Sequence, residues 1–347
     1  MTFVALTSPL GDNLASQPGA PFNPQQMMQM MQMMQMMQMM QPGAGVDPSA
    51  QPFVSPQSTD ANLDAGLEAE FVRPSQLGKL IREQDPLPFQ PVLDRLCLKP
   101  DGTPLQGIPK GCTIAFAGPP GKGKTRSCLE GLLRVAATGV PCLFVVAEEG
   151  FLDEGDSGRD PLVSRMAKIG CEVLAMGEDE LKEKVLVNLW VMQAQYHKGQ
   201  SWDDFIHRYR YVVERHKIRT VVIDSLNMLD PAKTRTADHL SALKTYNHEH
   251  GVTCVTIGQI RDTGMPVGGE ALMHTADAVF LLEEMSMGSK EMGAIWGANY
   301  RDVITVLRAV KSVTTKIFAH PVRVAQTGEA GTLAVHPQHP EMYALPG

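Results

Sequence analysis

Gly118-Pro119-Pro120-Gly121-Lys122-Gly123-Lys124-Thr125 matches the pattern G-x-x-x-x-G-K-[ST] at every fixed position. Its surroundings fit as well. The apolar run Cys112-Thr113-Ile114-Ala115-Phe116-Ala117 precedes it, and Arg126 to Ala137, striped with apolar residues and stopped at Gly139, follows it. Strand, loop and helix thus come in the required order. The glycines let the chain turn so that successive N–H groups point inward at a helix N-terminus, where the helix dipole favours an anion. Gly118, Pro119, Pro120, Gly121, Lys122, Gly123, Lys124, Thr125 and Arg126 are therefore expected to cradle the phosphates of ATP. Lys124 would hold the β- and γ-phosphates, and Thr125 would give its hydroxyl to Mg2+.

Outward from that loop the segments read as an α/β core. Pro141 to Ala147 is a continuous apolar run of the kind a buried parallel strand requires, and it ends in Glu148-Glu149-Gly150. Carboxylates at the C-terminal end of a strand beside the phosphate loop lie on the ligand-binding edge of an open α/β sheet. There Glu148 or Glu149 would polarise the attacking water, although a solvated strand end would look the same in sequence. Val185 to Val191 reads as another strand, and Trp202 to Lys217 as an amphipathic helix with Phe205, Tyr209, Val212 and Val213 on its apolar side. Arg219-Thr220-Val221-Val222-Ile223-Asp224-Ser225 has the Walker B form, so Asp224 is expected to bind Mg2+ directly or through water. A helix from Ala237 to His250 leads into the strand Gly251 to Gln259. Gln259 either senses the γ-phosphate for the glycine-bearing loop Ile260 to Gly269 or is an ordinary polar strand end. Ala278–Glu283 and Asp302–Lys311 read as antiparallel strands, Thr315–Ala319 and Val322–Gln326 as extensions of the sheet, and Thr327–Gly331 as the turn before a last strand, Thr332–Val335.

The composition of the 347 residues, 43% of them hydrophobic, is ordinary for a globular protein but unevenly spread. Residues 1–70 are poor in charge and rich in Pro, Gly, Gln, Ser and Met, so they read as a low-complexity disordered arm in front of a single domain, 71–347. Within the arm, residues 25–41 repeat Met-Met-Gln. A period of three drifts around a helix of 3.6 residues per turn, so methionines would cover nearly every face. The repeat is either a low-complexity tail or a thioether-rich adhesive segment for a protein partner or for self-association. The net charge of −7 argues against wholesale electrostatic binding to nucleic acid, although a ring can confine its basic residues to a central channel. Six cysteines without a C-x-x-C pair suggest neither a zinc site nor a disulfide framework, and point to a reducing cytoplasm. No apolar stretch reaches the roughly 20 residues that span a bilayer, so no membrane is expected. The acidic stretch 153–160 reads as a divalent-ion site or a solvated loop.

Phosphate loop, acidic pair, Walker B aspartate and polar strand end, in that order, resemble the RecA-like ATPases, and within them the RadA/Sms and KaiC-type branch. RadA is matched most closely by Leu93-Asp94-Arg95-Leu96, Glu148-Glu149, Asp224-Ser225, Gly258-Gln259-Ile260-Arg261-Asp262-Thr263-Gly264, Ala271 to Val279, and Leu307-Arg308-Ala309-Val310-Lys311. The resemblance implies a RecA-like core with a mostly parallel central sheet and helices on both faces. It also implies a hexameric ring in which Lys311 reaches the nucleotide of a neighbouring subunit. RadA proteins also carry a four-cysteine zinc module and a Lon-protease-like domain, which this sequence lacks. Where they read Lys-Asn-Arg-Phe-Gly, this chain reads Lys311-Ser312-Val313-Thr314-Thr315, with Val313 at the arginine position and Lys316 or Arg308 as candidate substitutes.

The leading expectation is a ring-forming, Mg2+-dependent ATPase that works on single-stranded DNA in recombination or repair. A KaiC-like switch acting on protein partners through the arm is the alternative, as is a nucleic-acid packaging or replication motor of a phage or mobile element. Stacking aromatics for bases are few: Trp296 and Tyr300, beside Arg301, are the candidates, with core or surface placement the competing reading. An adenylate-type kinase fits less well, since Asp224 lies far downstream and no arginine-rich lid follows the loop.

Overall fold

The computed structural model describes residues 73–76, 78, 83–147, 151, 161–194, 201–225, 228, 235–260 and 273–346. The chain divides into residues 1–80 and residues 81–347. In the first unit the described structure is a short 3-10 turn, Pro74–Gln76, and the Met-Met-Gln repeat lies outside the described residues.

The second unit begins with β1 (Pro86–Leu87), α1 (Pro91–Asp94), β2 (Cys97–Leu98), β3 (Ile108–Pro109) and β4 (Thr113–Gly118). Then follow α2 (Lys124–Ala137), β5 (Cys142–Val146), α3 (Leu162–Leu174), α4 (Glu178–Lys184), β6 (Leu189–Gln193), α5 (Trp202–His216), β7 (Thr220–Asp224), α6 (Thr236–His250) and β8 (Thr253–Gln259). The last part holds β9 (Ala278–Ser286), α7 (Lys290–Trp296), β10 (Val303–Ser312), β11 (Lys316–Ile317), β12 (Val322–Thr327) and β13 (Thr332–Val335). Nine strands form the central sheet in the order β13-β12-β10-β9-β4-β8-β7-β5-β6. From β9 to β6 all neighbours are parallel, whereas β10, β12 and β13 extend the sheet antiparallel.

Period-two alternation builds a core on each face of this sheet. Ile114 and Phe116 of β4, with Phe144 and Val146 of β5, join α2, α3 and α4 on one side. Ala115 and Ala117, with Leu143 and Val145, join α5 and α6 on the other. On the first face Phe89 lies so close to α2 that a Cβ on Gly131 would stand 2.5 Å from its ring. Among the cysteines, burial pushes the thiols of Cys97, Cys142 and Cys254 up to about 12, as fits small apolar core residues.

Three expected segments differ. Val185 to Val191 is not one strand: a 3-10 turn occupies Leu186–Asn188 before β6 starts at Leu189. The side-chain Nδ2 of Asn188 donates to the carbonyls of Ala136 and Lys184, and Val185 is fully buried, so the turn satisfies these residues without a ladder. The stretch Thr315–Ala319 does not extend the sheet, because β11 pairs with β2 through Lys316↔Leu98 and Ile317↔Cys97. Finally, β9 is antiparallel to β10, as expected, but parallel to β4.

At the outer edge, the outward-facing N–H of Leu333 on β13 donates to Ser127 Oγ at 2.9 Å. Its carbonyl accepts from Nε2 of the buried Gln90 at 2.7 Å. Among the described residues no helix is long and apolar enough to cross a membrane.

Candidate functional site

The loop between β4 and α2 folds around its glycines. Gly121 and Gly123 take φ of +72° and +81°, the left-handed region that other residues adopt only with strain. Gly118 serves packing instead: a Cβ there would stand 2.5 Å from Leu282 Cβ, so its absence lets β4 and β9 lie together. Gly123 caps α2 without any side-chain hydrogen bond, and the first intrahelical bond runs from Ser127 N–H to Gly123 C=O at 2.9 Å. The amides of the first turn, including those of Lys124, Thr125 and Arg126, therefore have no intrahelical acceptor and face the loop, where an anion fits.

Lys124 is 93% buried, and its ammonium donates to the carbonyls of Gly118 at 2.9 Å and Pro119 at 2.6 Å, which holds the charge over the loop. Thr125 Oγ1 donates to Asp224 Oδ2 at 2.6 Å, so two groups 99 residues apart in sequence converge on one point. Asp224, 5% exposed, ends β7, whose Ile223 and Asp224 pair with Thr256 and Ile257 of β8. A cavity of about 260 Å³ lies there, lined by Gly121, Lys124, Thr125, Asp224 and Gln259 among others. A hydroxyl and one carboxylate beside a phosphate cradle form the donor set that Mg2+ takes, with phosphate oxygens and water completing its shell. Among the described residues no cluster of His, Cys, Asp and Glu builds a dedicated metal cage.

A family model described as "ATPase: KaiC" matches residues 91–317. The chain belongs to the KaiC family of ATPases. In fold it is similar to the crystal structure of a KaiC-like protein from the hyperthermophilic archaeon Pyrococcus horikoshii, at 18% identity and a TM-score of 0.50, over 74% of this chain and 99% of that one. A comparison with curated protein sequences finds no significant match. The KaiC-family core is thus RecA-like, with the phosphate loop at the C-terminal edge of its parallel strands.

Other expected site residues fall in different places. Glu148 and Glu149 lie outside the described residues, as do the loop 261–272 and the acidic stretch 153–160. Gln259 lies on the cavity beside Asp224. Lys311 sits at the far end of the sheet: it pairs with Val279 on β9, which pairs with Ala115 near the start of β4. Its ammonium donates to the carbonyls of Met273, His274 and Ala276 at 3.2, 2.6 and 2.8 Å. Burial and the charge of Lys244 hold Lys311 below the ordinary lysine range, against the pull of Asp277. Arg308 pairs with Glu283 at 3.2 Å, Lys316 donates to the carbonyl of Pro100, and Val313 is 58% exposed. Trp296 is core rather than loop: it ends α7, 6% exposed, and stacks on Tyr343 at 5.6 Å. Tyr300 stays half-exposed under Arg301.

Sequence reasoning assigned no role to the network behind β4. Asp277, 3% exposed, accepts from the N–H of Thr113 at 2.8 Å, from Lys244 at 2.7 Å and from His248 at 2.9 Å. Burial raises its carboxyl, but the bonds from Lys244, Thr113 and His248 outweigh that and leave it below the usual carboxylate range. Nor did it find Arg165 and Gln326, which reach the phosphate loop from α3 and β12. The acid at position 277 lay inside the RadA-like run, and that run was the only signal available.

Proposed function

We propose that this chain is a Mg2+-dependent ATPase that assembles into a hexameric ring and couples hydrolysis to the handling of single-stranded DNA in recombination or repair. The observation that carries the ATPase part is the 2.6 Å contact between Thr125 Oγ1 and Asp224 Oδ2 beside the open first turn of α2. In this reading Lys124 offsets charge on the β- and γ-phosphates, Thr125 and Asp224 hold Mg2+, and Glu148 or Glu149 orients the attacking water. Gln259 relays the state of the γ-phosphate to the loop after β8. Lys311 acts across a subunit boundary, exchanging its three carbonyl partners for that role. The DNA part rests on the RadA-like runs 258–264 and 271–279. A reducing cytoplasm suits the buried thiols.

The exposed Val313, standing where RadA has an arginine, favours a second reading, a KaiC-like switch whose ATP state acts on a protein partner through the Met-rich arm. One assay separates the two: ATP hydrolysis with Mg2+, with and without single-stranded DNA, beside Lys124→Ala. Several-fold stimulation by DNA that disappears in the variant supports the DNA reading. Hydrolysis indifferent to DNA moves the weight to the switch, and absence of hydrolysis in the wild type overturns both.

A further inference from the structure

In a chain of net charge −7, the thirteen residues His207 to Arg219 hold Arg208, Arg210, Arg215, Lys217 and Arg219 against one carboxylate, Glu214. The helix α5 sorts these charges by flank. Arg210 lies over the ring of Tyr246 at 5.2 Å and Arg219 donates to the carbonyl of His250, so both are turned to α6. Glu214 goes the same way, accepting from the hydroxyl of Tyr246 at 3.1 Å. Arg208, Tyr211 and Arg215, spaced i, i+3 and i+7, form a stripe on the other flank, towards β6. There Arg208 Nη1 donates to the carbonyl of Gln193 at 3.2 Å, and the rings of His216 and Trp190 pack at 4.9 Å. The exposed Lys217 follows, closing the helix at a φ of +54°. Asp204, one turn before Arg208, is engaged in the helix cap, its Oδ2 accepting from the N–H and Oγ of Ser201 at 2.9 and 2.8 Å. Tyr211 is 62% exposed, and the side chains of Tyr211, Arg215 and Lys217 have no hydrogen-bond, ring or ion-pair partner among the described residues.

We infer that this stripe is a contact surface for single-stranded DNA, with Arg208, Arg215 and Lys217 on phosphates and Tyr211 under a base, an inference that rests on the DNA reading above. Arg208 and Arg215 stand about 10 Å apart along the helix axis, the rise of about three stacked nucleotides. Cations on either side of an exposed ring hold a strand without reading its sequence, because the phosphates meet charge and every base has a face to stack. An acidic peptide would use the charges and leave the ring idle, and the bases of a duplex are already stacked on one another. The single strand is the partner that uses both. Arg208, already held by the carbonyl of Gln193, gives up little conformational freedom on binding. In the sheet β6 lies four strands from β4, about 19 Å at the usual strand spacing, so a strand on the stripe leaves the phosphate loop clear.

The test measures binding of a short labelled oligo(dT), an abasic strand of equal length and polyglutamate to the full chain by fluorescence anisotropy across a salt series. Wild type is set beside Tyr211→Ala, Tyr211→Phe and the double variant Arg215→Gln with Lys217→Gln, with melting curves to show that each is folded. Tyr211→Ala is expected to weaken oligo(dT) about 10-fold and to leave the abasic strand and the salt dependence unchanged, with Tyr211→Phe close to wild type. The double variant should weaken both strands and lower the slope of log K against log salt by about 1.4. Basal ATP hydrolysis without DNA should be the same in all of them. The inference is overturned by oligo(dT) binding that neither substitution alters, by equal weakening of the two strands in Tyr211→Ala, or by polyglutamate binding as tight as oligo(dT). In each of these cases the DNA reading stands so long as oligo(dT) stimulates hydrolysis. Binding through the stripe without such stimulation supports the inference and overturns the coupling of hydrolysis to DNA, and a wild type that binds no oligo(dT) overturns the two together.

Discussion

At its C-terminal end β4 runs through Gly118 into a loop whose following helix leaves its first amides without side-chain caps. At its N-terminal end the N–H of Thr113 meets the carboxylate of Asp277, which is itself held by Lys244 and His248, while Lys311 gathers three carbonyls beside it. The same strand therefore has one end where backbone polarity is kept for a ligand and one where it is satisfied within the fold. Burying a polar group is costly unless it is bonded, so the second end stabilises, and the first end, whose helix start has no side-chain cap, is suited to bind. Substitutions at the two ends should thus separate activity from stability.

Lys124→Ala should give the largest effect, a loss of about 100-fold or more in ATP turnover with little change in melting temperature, since the lysine meets charge that grows in the transition state. A large drop in stability instead would break the contrast. Asp277→Ala should do the opposite, costing about 2–3 kcal/mol in denaturant unfolding, somewhat below the usual cost of halving a buried pair because Lys244 still reaches water. The wild-type network also has a pH signature. The carboxyl of Asp277 lies below its ordinary 3.8, so its stabilisation is fully present above that value and is lost as pH falls through the lower, folded-state value. Asp277→Asn should flatten the acid limb of a stability-against-pH curve, and an unaltered limb would show that other carboxylates set it.

Gly118→Ala sharpens the contrast within the active end, since it tests packing rather than binding. Its Cβ would press on Leu282, and the overpacking should cost about 1–3 kcal/mol, read as a lower melting temperature. The smallest effect belongs to Lys122→Ala. The Lys122–Glu284 pair is short at 2.6 Å, but its side chains are 30% and 47% exposed, so the change should stay within about 1 kcal/mol by chemical denaturation.

The active end was legible in sequence because its chemistry is contiguous: eight residues carry the loop, and the strand signals on either side are strong. Asp224 was legible for a related reason, as a short apolar run ending in an acid has few other meanings after such a loop. The stabilising end was not. Thr113, Lys244 with His248 on α6, Asp277 and Lys311 come from four separate stretches, and nothing local marks an aspartate as the partner of an amide 164 residues earlier. Arg165 and Gln326 were hidden in the same way, since only the packing of α3 and the β12–β13 turn on α2 brings them to the loop. Where local signals misled, as at Val185–Val191, β-branched residues read as strand while an asparagine amide and a buried valine stabilised a turn.

Leu333 carries a last consequence. An uncovered strand at the rim of a sheet is a template on which a second chain can lay its own backbone. Here that template is already occupied at Leu333 by a serine hydroxyl from α2 and a buried glutamine amide, so the rim is blunted at that position. A second chain that paired with β13 at Leu333 would first have to displace both of these hydrogen bonds.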